Sequence, residues 1–556
     1  MDKKYFFERN LLALSRIDSE LCSRLTMAET TLGSYRILLS RDQKKIPAYV
    51  DKSGAAHPLH SLVDPEKEAV KIASTLSGEG YIIIMGFGAG FLPEAATNNG
   101  NVKFILVIDY NIDSMAELLC LKDFAPLIND PRFHILVDAD EASIEKYILN
   151  TYNPTLHDGI RAFPLRSRTD FDTEHFIPAS RAIKTAIDKV SADFSVQSFF
   201  GKRWFSNIIR NIFAAEKQSG VFTPIRNAAI CAAGPSLDDQ LELIYEQRSE
   251  FFLIAADTSL GSLLCAGIKP DALISIDCQH ISYYHFIGKN IQDIPLFLDL
   301  ASPPLLASCS EKTFFFCGGH PLDKYISNMF RNFPAVDTSG ANVTYAALSL
   351  AENLGAKNVK LFGADFSYPK GRSYTKNAYF YPFLTRKQNR LNPLESSTSS
   401  FILKIPSLQK IENGKNWYYE TRPLKMYREA FENKAAALAL DITSAQGGGA
   451  PVTIKKTAPF TKKQNEVLSL FSCGRPFCTA KEFLKNYGNN IEALPMPVDN
   501  NVEQYINKMT FDENLVLNTL LPSAAAIKHN TAVTTLPELI GSLKDFSLSA
   551  IEKIIK

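Results

Sequence analysis

The stretch Ala228–His285, AAICAAGPSLDDQLELIYEQRSEFFLIAADTSLGSLLCAGIKPDALISIDCQHISYYH, decides how the chain folds. It opens with the apolar run Ala228–Ala233, which has the length and composition of a buried parallel strand. The run stops at Gly234-Pro235-Ser236, and an amphipathic helix is predicted from about Leu237 to Gln247, with Ser236 as its cap and Asp239 in the capping-box position. Gly234 lets backbone approach a ligand closely, and Pro235 removes one amide donor without harming a helix start. The free amides of that first turn would suit a phosphate. Two further apolar runs end on an acid: Phe251–Ala256 at Asp257 and Ala272–Ile276 at Asp277. Between them Ser259–Ala266 reads as a helix stopped by Gly267 and Pro270. This is a strand–helix–strand–helix–strand unit whose polar residues gather at the carboxyl ends of its strands, where open α/β sheets bind ligands. For each acid taken singly, the alternative is a helix cap.

The alternation continues downstream. Pro295–Leu300, Thr313–Cys317, Ala335–Val336 and Val359–Phe362 read as strands, and Leu322–Phe330 and Asn342–Leu354 as helices. The turn at Gly340 with Asn342 as a cap puts a second helix start near the crevice. The strand before Gly363-Ala364-Asp365 makes Asp365 a third acid at a strand end. Residues 366–420 lack a regular period. They interleave Tyr368, Tyr374, Tyr379, Phe380, Tyr381 and Phe383 with Lys370, Arg372, Arg386 and Arg390, which suits a lid or an acceptor surface, or an insertion packed by its own aromatics. His280, His285 and His320 each follow a strand, as a base would, and equally as packing residues would.

Upstream, Met1–Leu25 reads as one amphipathic helix and Ile46–Val50 as a short strand. The strand Tyr81–Met85 leads into Gly86-Phe87-Gly88-Ala89-Gly90 and a helix from about Leu92 to Thr97, and the strand Val102–Ile108 ends at Asp109. An acid about 20 residues past such glycines would bind ribose in a dinucleotide or S-adenosylmethionine fold, while the same glycines also serve close helix–strand packing. Phe133–Val137 is another strand, and residues 170–217 run as helix with a break at Pro178. From Phe460 onward the pattern is helical, with segments at Asn465–Phe471, Ala480–Tyr487, Glu503–Lys508, Glu513–Leu520 and Pro537–Ile555, the last with a break. The domains expected are 1–165 (α/β with the glycine loop), 166–220 (helical connector), 221–455 (central Rossmann-like α/β domain) and 456–556 (helical).

At 556 residues, with 46% hydrophobic and 21% charged, the chain is a multidomain globular protein. A formal net charge of +1 with no basic block argues against nucleic-acid binding. No apolar run reaches the length of a membrane span and no secretory signal is visible, so no membrane insertion and a cytoplasmic location are expected. The nine cysteines include no C-x-x-C and no zinc spacing, and read as reduced thiols. Asp277-Cys278-Gln279 has the position but not the residues of a D-x-D metal motif, so no required metal is expected.

Gly234-Pro235-Ser236-Leu237, Ala256-Asp257, Gly267-Ile268-Lys269-Pro270-Asp271, Ser275-Ile276-Asp277 and Tyr283-Tyr284-His285 follow the order and spacing of the motility accessory factor (Maf) proteins, which this chain resembles. Those are bacterial glycosyltransferases implicated in placing nonulosonic acids of the pseudaminic or legionaminic type on flagellin. Their central domain is similar to sialyltransferases that use CMP-sialic acid, and to an archaeal hydroxymethyldihydropterin diphosphokinase. The resemblance implies a CMP-activated nonulosonic acid as donor substrate, no required cofactor, and flagellin Ser/Thr hydroxyls as acceptor. It implies a nucleotide bound by Gly234, Pro235, Ser236, Asp257, Asp277, Gln279, Gly340 and Asn342, with Asp257, Asp277, Asp365, Tyr374 and His285 as catalytic candidates. Where the family often has Gly-Ser, this chain has Ala341-Asn342, which changes the side chain facing the ligand. A diphosphokinase using ATP and Mg²⁺, and a non-catalytic flagellin-binding factor, are the alternatives.

Overall fold

The computed structural model describes residues 3–30, 33–51, 53–218, 222–386, 388–414, 416–445, 447–456 and 474–556. The segment expected as a helix at Asn465–Phe471, and Gln446 before the run Gly447-Gly448-Gly449, lie outside them. The chain divides into two compact α/β units.

The first unit comprises Met1–Gly201, Leu494–Asn514 and Leu521–Asp545. Its amino-terminal stretch forms two helices, Lys3–Leu14 and Ser19–Thr26, rather than one, because Asp18 caps the second by accepting from the Leu21 amide. Strands β1 (Tyr35–Leu39), β2 (Lys45–Val50) and β3 (Ala56–Pro58) make a small antiparallel sheet. Strands β4 (Glu79–Met85), β5 (Phe104–Asp109), β6 (Phe133–Val137) and β7 (Gly159–Pro164) make a parallel sheet in the order β6-β5-β4-β7. Alternate side chains of β4 and β5 enter different cores. Ile82, Ile84, Ile105 and Val107 pack on one face, and Tyr81, Ile83, Phe104 and Leu106 on the other. Burial of both faces is why these strands read as unbroken apolar runs. The helix Thr173–Lys217 runs through Pro178 without the expected break. Proline there removes one early hydrogen bond, while Phe176, Ala179, Ala182 and Ile183 around it stay buried.

The second unit comprises Lys202–Ala493, Leu515–Leu520 and Phe546–Lys556. Strands β8 (Asn227–Cys231), β9 (Phe252–Ala256), β10 (Ala272–Ser275), β11 (Leu296–Asp299), β12 (Thr313–Phe316) and β13 (Asn358–Phe362) belong to its seven-stranded parallel sheet. Ala335, expected in a strand, makes a single bridge to Cys317. Residues 366–420, expected to be irregular, contain β14 (Tyr368–Pro369), the hairpin β15 (Gln409–Asn413) and β16 (Asn416–Glu420), and helices Phe380–Thr385 and Leu394–Leu403. The Asn413–Asn416 pair closes that hairpin around Gly414, whose φ of 61° is left-handed. Strand β17 (Asp441–Ser444) completes the large sheet, in the order β12-β11-β10-β9-β8-β13-β17. The chain winds outward from β8 to β12, then returns by the helix Val343–Asn353 to place β13 on the other side of β8. That reversal is the switch point at which α/β sheets open a ligand crevice.

The last helices, Val502–Lys508, Phe511–Asn530 and Leu536–Ile555, follow Ala480–Ala493, and the final one is continuous rather than broken. No helix among the described residues is long and apolar enough to cross a membrane.

Candidate functional site

Four of the five catalytic candidates converge beyond the ends of β9 and β10. Asp257 is 5% exposed and heads a short 3₁₀ turn. Its Oδ2 accepts from Ser275 Oγ at 2.6 Å, and its Oδ1 from the Thr258 amide at 2.6 Å and the Thr258 hydroxyl at 2.9 Å. His285, in the 3₁₀ helix His280–His285, brings Nε2 to 4.0 Å from Asp257 Oδ1, while its buried Nδ1 has no hydrogen-bond partner. Asp277 accepts from the Gln279 amide at 2.9 Å. Burial, and then the nearby charge of Asp257, raise its carboxyl above the usual range.

Tyr379 stands edge-on to the His285 ring, centroids 4.5 Å apart at 87°. Tyr374, close by in the chain, feels the same two carboxylates: burial chiefly, then Tyr379 and Tyr368, then Asp257 and Asp277 keep its phenol protonated. Burial and the charges of Asp277 and Asp257 act on Tyr379 in the same direction. Two carboxylates, an imidazole and two phenols thus share one electrostatic environment at the carboxyl edge of the sheet.

The loops carrying these groups are held from behind. Asn207 Nδ2 donates to the carbonyls of Cys278 and Ala301, and Asn211 Nδ2 to those of Leu300 and Ser302, at 2.8 to 3.0 Å. Nothing in the sequence marked these two asparagines. The spacing of four that puts both on one helix face is visible only once their partners are known.

Asp365 lies elsewhere, because β8 separates β13 from β9. Its Oδ2 accepts from the Ser236 amide at 2.8 Å and its Oδ1 from the Ser236 hydroxyl at 2.5 Å. This corrects the expected cap. Ser236 has helical φ and ψ of −63° and −19°, makes no capping bond and forms no capping box with Asp239. The Gly234 amide donates to the Gly363 carbonyl, so the polar hydrogens expected to cradle a phosphate already have protein partners. The turn Gly447-Gly448-Gly449 packs directly on this pair. Gly448 N donates to Ser236 Oγ at 3.0 Å, and a Cβ on Gly449 would lie 2.5 Å from Asp365 Oδ1.

The remaining predicted residues are placed apart from both groups. Asn342 is the cap expected, its Oδ1 accepting from the Tyr345 amide at 2.9 Å and its Nδ2 donating to the Gly340 carbonyl. Gly340 is needed there because a Cβ would meet the Tyr345 ring at 2.3 Å. His280 is exposed, and His320 caps Pro321–Met329 through Nδ1. A second buried acid pair joins Asp299, at the end of β11, to Asp323, in the first turn of the helix Pro321–Met329, both raised by burial, with Asp323 Oδ1 lacking a hydrogen-bond partner. Asp299 was hidden inside the apolar run Pro295–Leu300.

In the first unit, the Gly86–Gly90 loop is filled by its own protein. Asp109 accepts from the Phe87 amide at 2.7 Å and pairs with buried Arg168 at 3.2 Å, while His60 Nε2 accepts from Ala89 at 2.8 Å.

Three comparisons bear on this geometry. The 6-hydroxymethylpterin diphosphokinase MptE-like family model matches residues 203–371. An uncharacterized protein of Treponema pallidum (strain Nichols) is 32% identical over 168 residues, 29% of this chain and 78% of that protein. Two further uncharacterized proteins of the same organism are 32% identical over 115 residues and 29% identical over 214. Those matches span 21% and 37% of this chain but only 40% and 36% of the relatives' own lengths. Among solved structures, the MAf glycosyltransferase of Magnetospirillum magneticum AMB-1 superposes with a TM-score of 0.58 at 14% identity, covering 100% of this chain and 95% of that one. Both sides of the sequence resemblance, to the Maf proteins and to the pterin diphosphokinase-like domain, are thereby met, the former as a likeness of fold.

Proposed function

The chain belongs to the family of the first of these Treponema pallidum proteins and has the fold of a Maf glycosyltransferase, and from that premise we propose that it is itself a glycosyltransferase. Its donor is a CMP-activated nonulosonic acid and its acceptor a Ser or Thr hydroxyl of flagellin. The observation that carries this reading is the meeting of Asp257, Asp277, His285, Tyr374 and Tyr379 at the ends of β9 and β10.

In the proposed reaction, the bond between the anomeric carbon and the phosphate oxygen breaks, and its electron pair leaves with CMP. The acceptor oxygen forms the new bond and gives its proton to His285. Tyr374 and Tyr379 are kept as phenols, so they are donors for the charge growing on the phosphate. Asp257, held through both oxygens by Ser275 and Thr258, is fixed beside His285, where a carboxylate favours the imidazolium that forms. Asp277, with its raised carboxyl, lines the donor pocket beside Gln279. No resident metal is part of this scheme.

The match of residues 203–371 to the MptE-like model favours a second reading, pyrophosphoryl transfer from ATP, in which Asp257 and Asp277 would face a nucleotide-bound Mg²⁺. Purified protein, flagellin and CMP-nonulosonic acid decide between them: flagellin gains the mass of the sugar, with CMP released and insensitive to EDTA. A thermal-shift panel of CMP, CDP, ATP with Mg²⁺ and S-adenosylmethionine adds a check. A ligand at 100 times its Kd raises folded stability by about 2.7 kcal/mol. Stabilisation by ATP with Mg²⁺ alone overturns the glycosyltransferase reading, and CMP binding without transfer leaves a flagellin-binding factor.

A further inference from the structure

Tyr374 and Tyr379 belong to neither β9 nor β10. They are carried by residues 370–379, a strap that leaves β14 and enters the helix Phe380–Thr385. What holds this strap is one side chain of the helix after β8. Asp238, 8% exposed at its side chain, receives three donors from the strap: the Thr375 hydroxyl, the Lys376 amide at 3.1 Å and Arg372 Nη1 at 3.3 Å. The Thr375 hydroxyl also lies 2.7 Å from Ser262 Oγ, and the Thr375 amide donates to the Ala233 carbonyl at 3.0 Å. At Gly261 a Cβ would meet the Asn377 carbonyl at 2.2 Å, so the strap lies flat on helix Leu260–Cys265.

We propose that Asp238 is a positioning residue, which fastens the strap so that Tyr374 and Tyr379 stand over Asp257 and Asp277. It makes no contact with the reacting groups itself. The proposal rests on reading that site as the transfer centre. Three donors converging on one buried carboxylate are more than a helix of this length needs in its first turn, where an acid usually meets its own helix amides. All three come from one ten-residue segment, and that segment carries both phenols.

Hydrogen–deuterium exchange of the intact chain tests the fastening without ligand or activity. In Asp238→Ala the peptides covering 370–379 exchange at least tenfold faster while those of β8, β9 and β10 keep wild-type protection. Unchanged strap exchange overturns the proposal whatever the protein's reaction. The second arm is transfer from CMP-nonulosonic acid. A misplaced pair of phosphate donors lowers kcat by about a hundredfold with KM for the donor changed less than threefold. Asp238→Glu and Thr375→Ser keep at least part of the wild-type kcat, and Thr375→Val loses it as Asp238→Ala does. Equal kcat in Asp238→Ala and wild type, with the strap loosened, refutes the positioning role. Loosening of the strap in Asp238→Ala, when the wild-type protein itself transfers no sugar, removes the function proposed above but leaves the fastening intact.

Discussion

Removing the Asp365 carboxylate tests whether the loop after β8 is held by the protein itself. Asp365 is 5% exposed and Ser236 4%. The carboxylate accepts from the Ser236 amide and the Ser236 hydroxyl. A hydrogen bond to a charged group contributes about 1.5–3 kcal/mol, and a stranded buried donor costs about 1–3 kcal/mol. The Ser236 hydroxyl can turn to another acceptor, but the amide cannot, so Asp365→Ala should cost about 2–4 kcal/mol. Ser236→Ala strands the Gly448 amide and should cost about 1–2 kcal/mol. In the double variant the shared bonds are lost once, which predicts a coupling of about 1.5–2 kcal/mol. Urea unfolding followed by tryptophan fluorescence measures this cleanly, because the chain's two tryptophans, Trp204 and Trp417, both lie in the unit that holds the pair. An unchanged m-value confirms that the same unfolding is being compared. Costs that add within about 0.5 kcal/mol would refute the argument, since independent sites behave that way.

Asp277→Asn should abolish sugar transfer yet stabilise the second unit by about 1 kcal/mol at neutral pH. The raised carboxyl makes its ionised form the disfavoured one in the fold, so stability is lost as pH rises through the folded value, and the gap between variant and wild type should close below about pH 4. Burial pushes the Asp299 carboxyl up to about 7, so wild-type stability should decline from about pH 4 to 7, and Asp299→Asn should flatten part of that slope in urea titrations. An identical slope would place the cause elsewhere. Gly449→Ala forces a Cβ to within 2.8 Å of the Asp365 backbone and should cost about 1–3 kcal/mol, whereas Gly448→Ala meets only Pro369 at 3.5 Å and should be nearly neutral. Equal melting temperatures for the two would contradict that packing.

The strands of the large sheet were legible because both of its faces are buried, so each strand is an apolar run with its acid at the end. That signal places Asp257, Asp277 and Asp365 on one edge, but it says nothing about which of them meet. Strand order decides it, and the return of β13 to the far side of β8 puts Asp365 beside Ser236 instead of beside Asp277. The expected Ser236 cap failed for the same reason: its hydroxyl donates to a carboxylate 129 residues away in sequence, and its oxygen accepts from the Gly448 amide instead of from an amide of its own helix. The Gly86–Gly90 loop has the spacing of a ligand loop, yet Asp109 and His60 take its amides, a fact stored in the partners and not in the glycines. In residues 366–420 the aromatics obscured any period, and Asn413-Gly414 was the one short-range hairpin signal available. Tyr374, Tyr379 and His285 were picked out by position; that His280 does not stand with them follows from the 3₁₀ turn, which leaves it exposed.

The hydroxyl of Ser236 also touches the Gly448 amide, 212 residues further along the chain. A ribosome adding about 5–20 residues per second takes about 10 to 40 s to cover that distance. Until Phe362 is made β8 has no β13 beside it, and until Ser444 is made β13 has no β17, so the sheet begun at Asn227 keeps an open parallel edge for most of that time. Long-range parallel pairing is slow in any case. The lock that closes the switch point therefore forms late in the synthesis of this sheet, and a nascent chain halted before Asp441 exposes an edge that a chaperone, or another nascent copy, can occupy first.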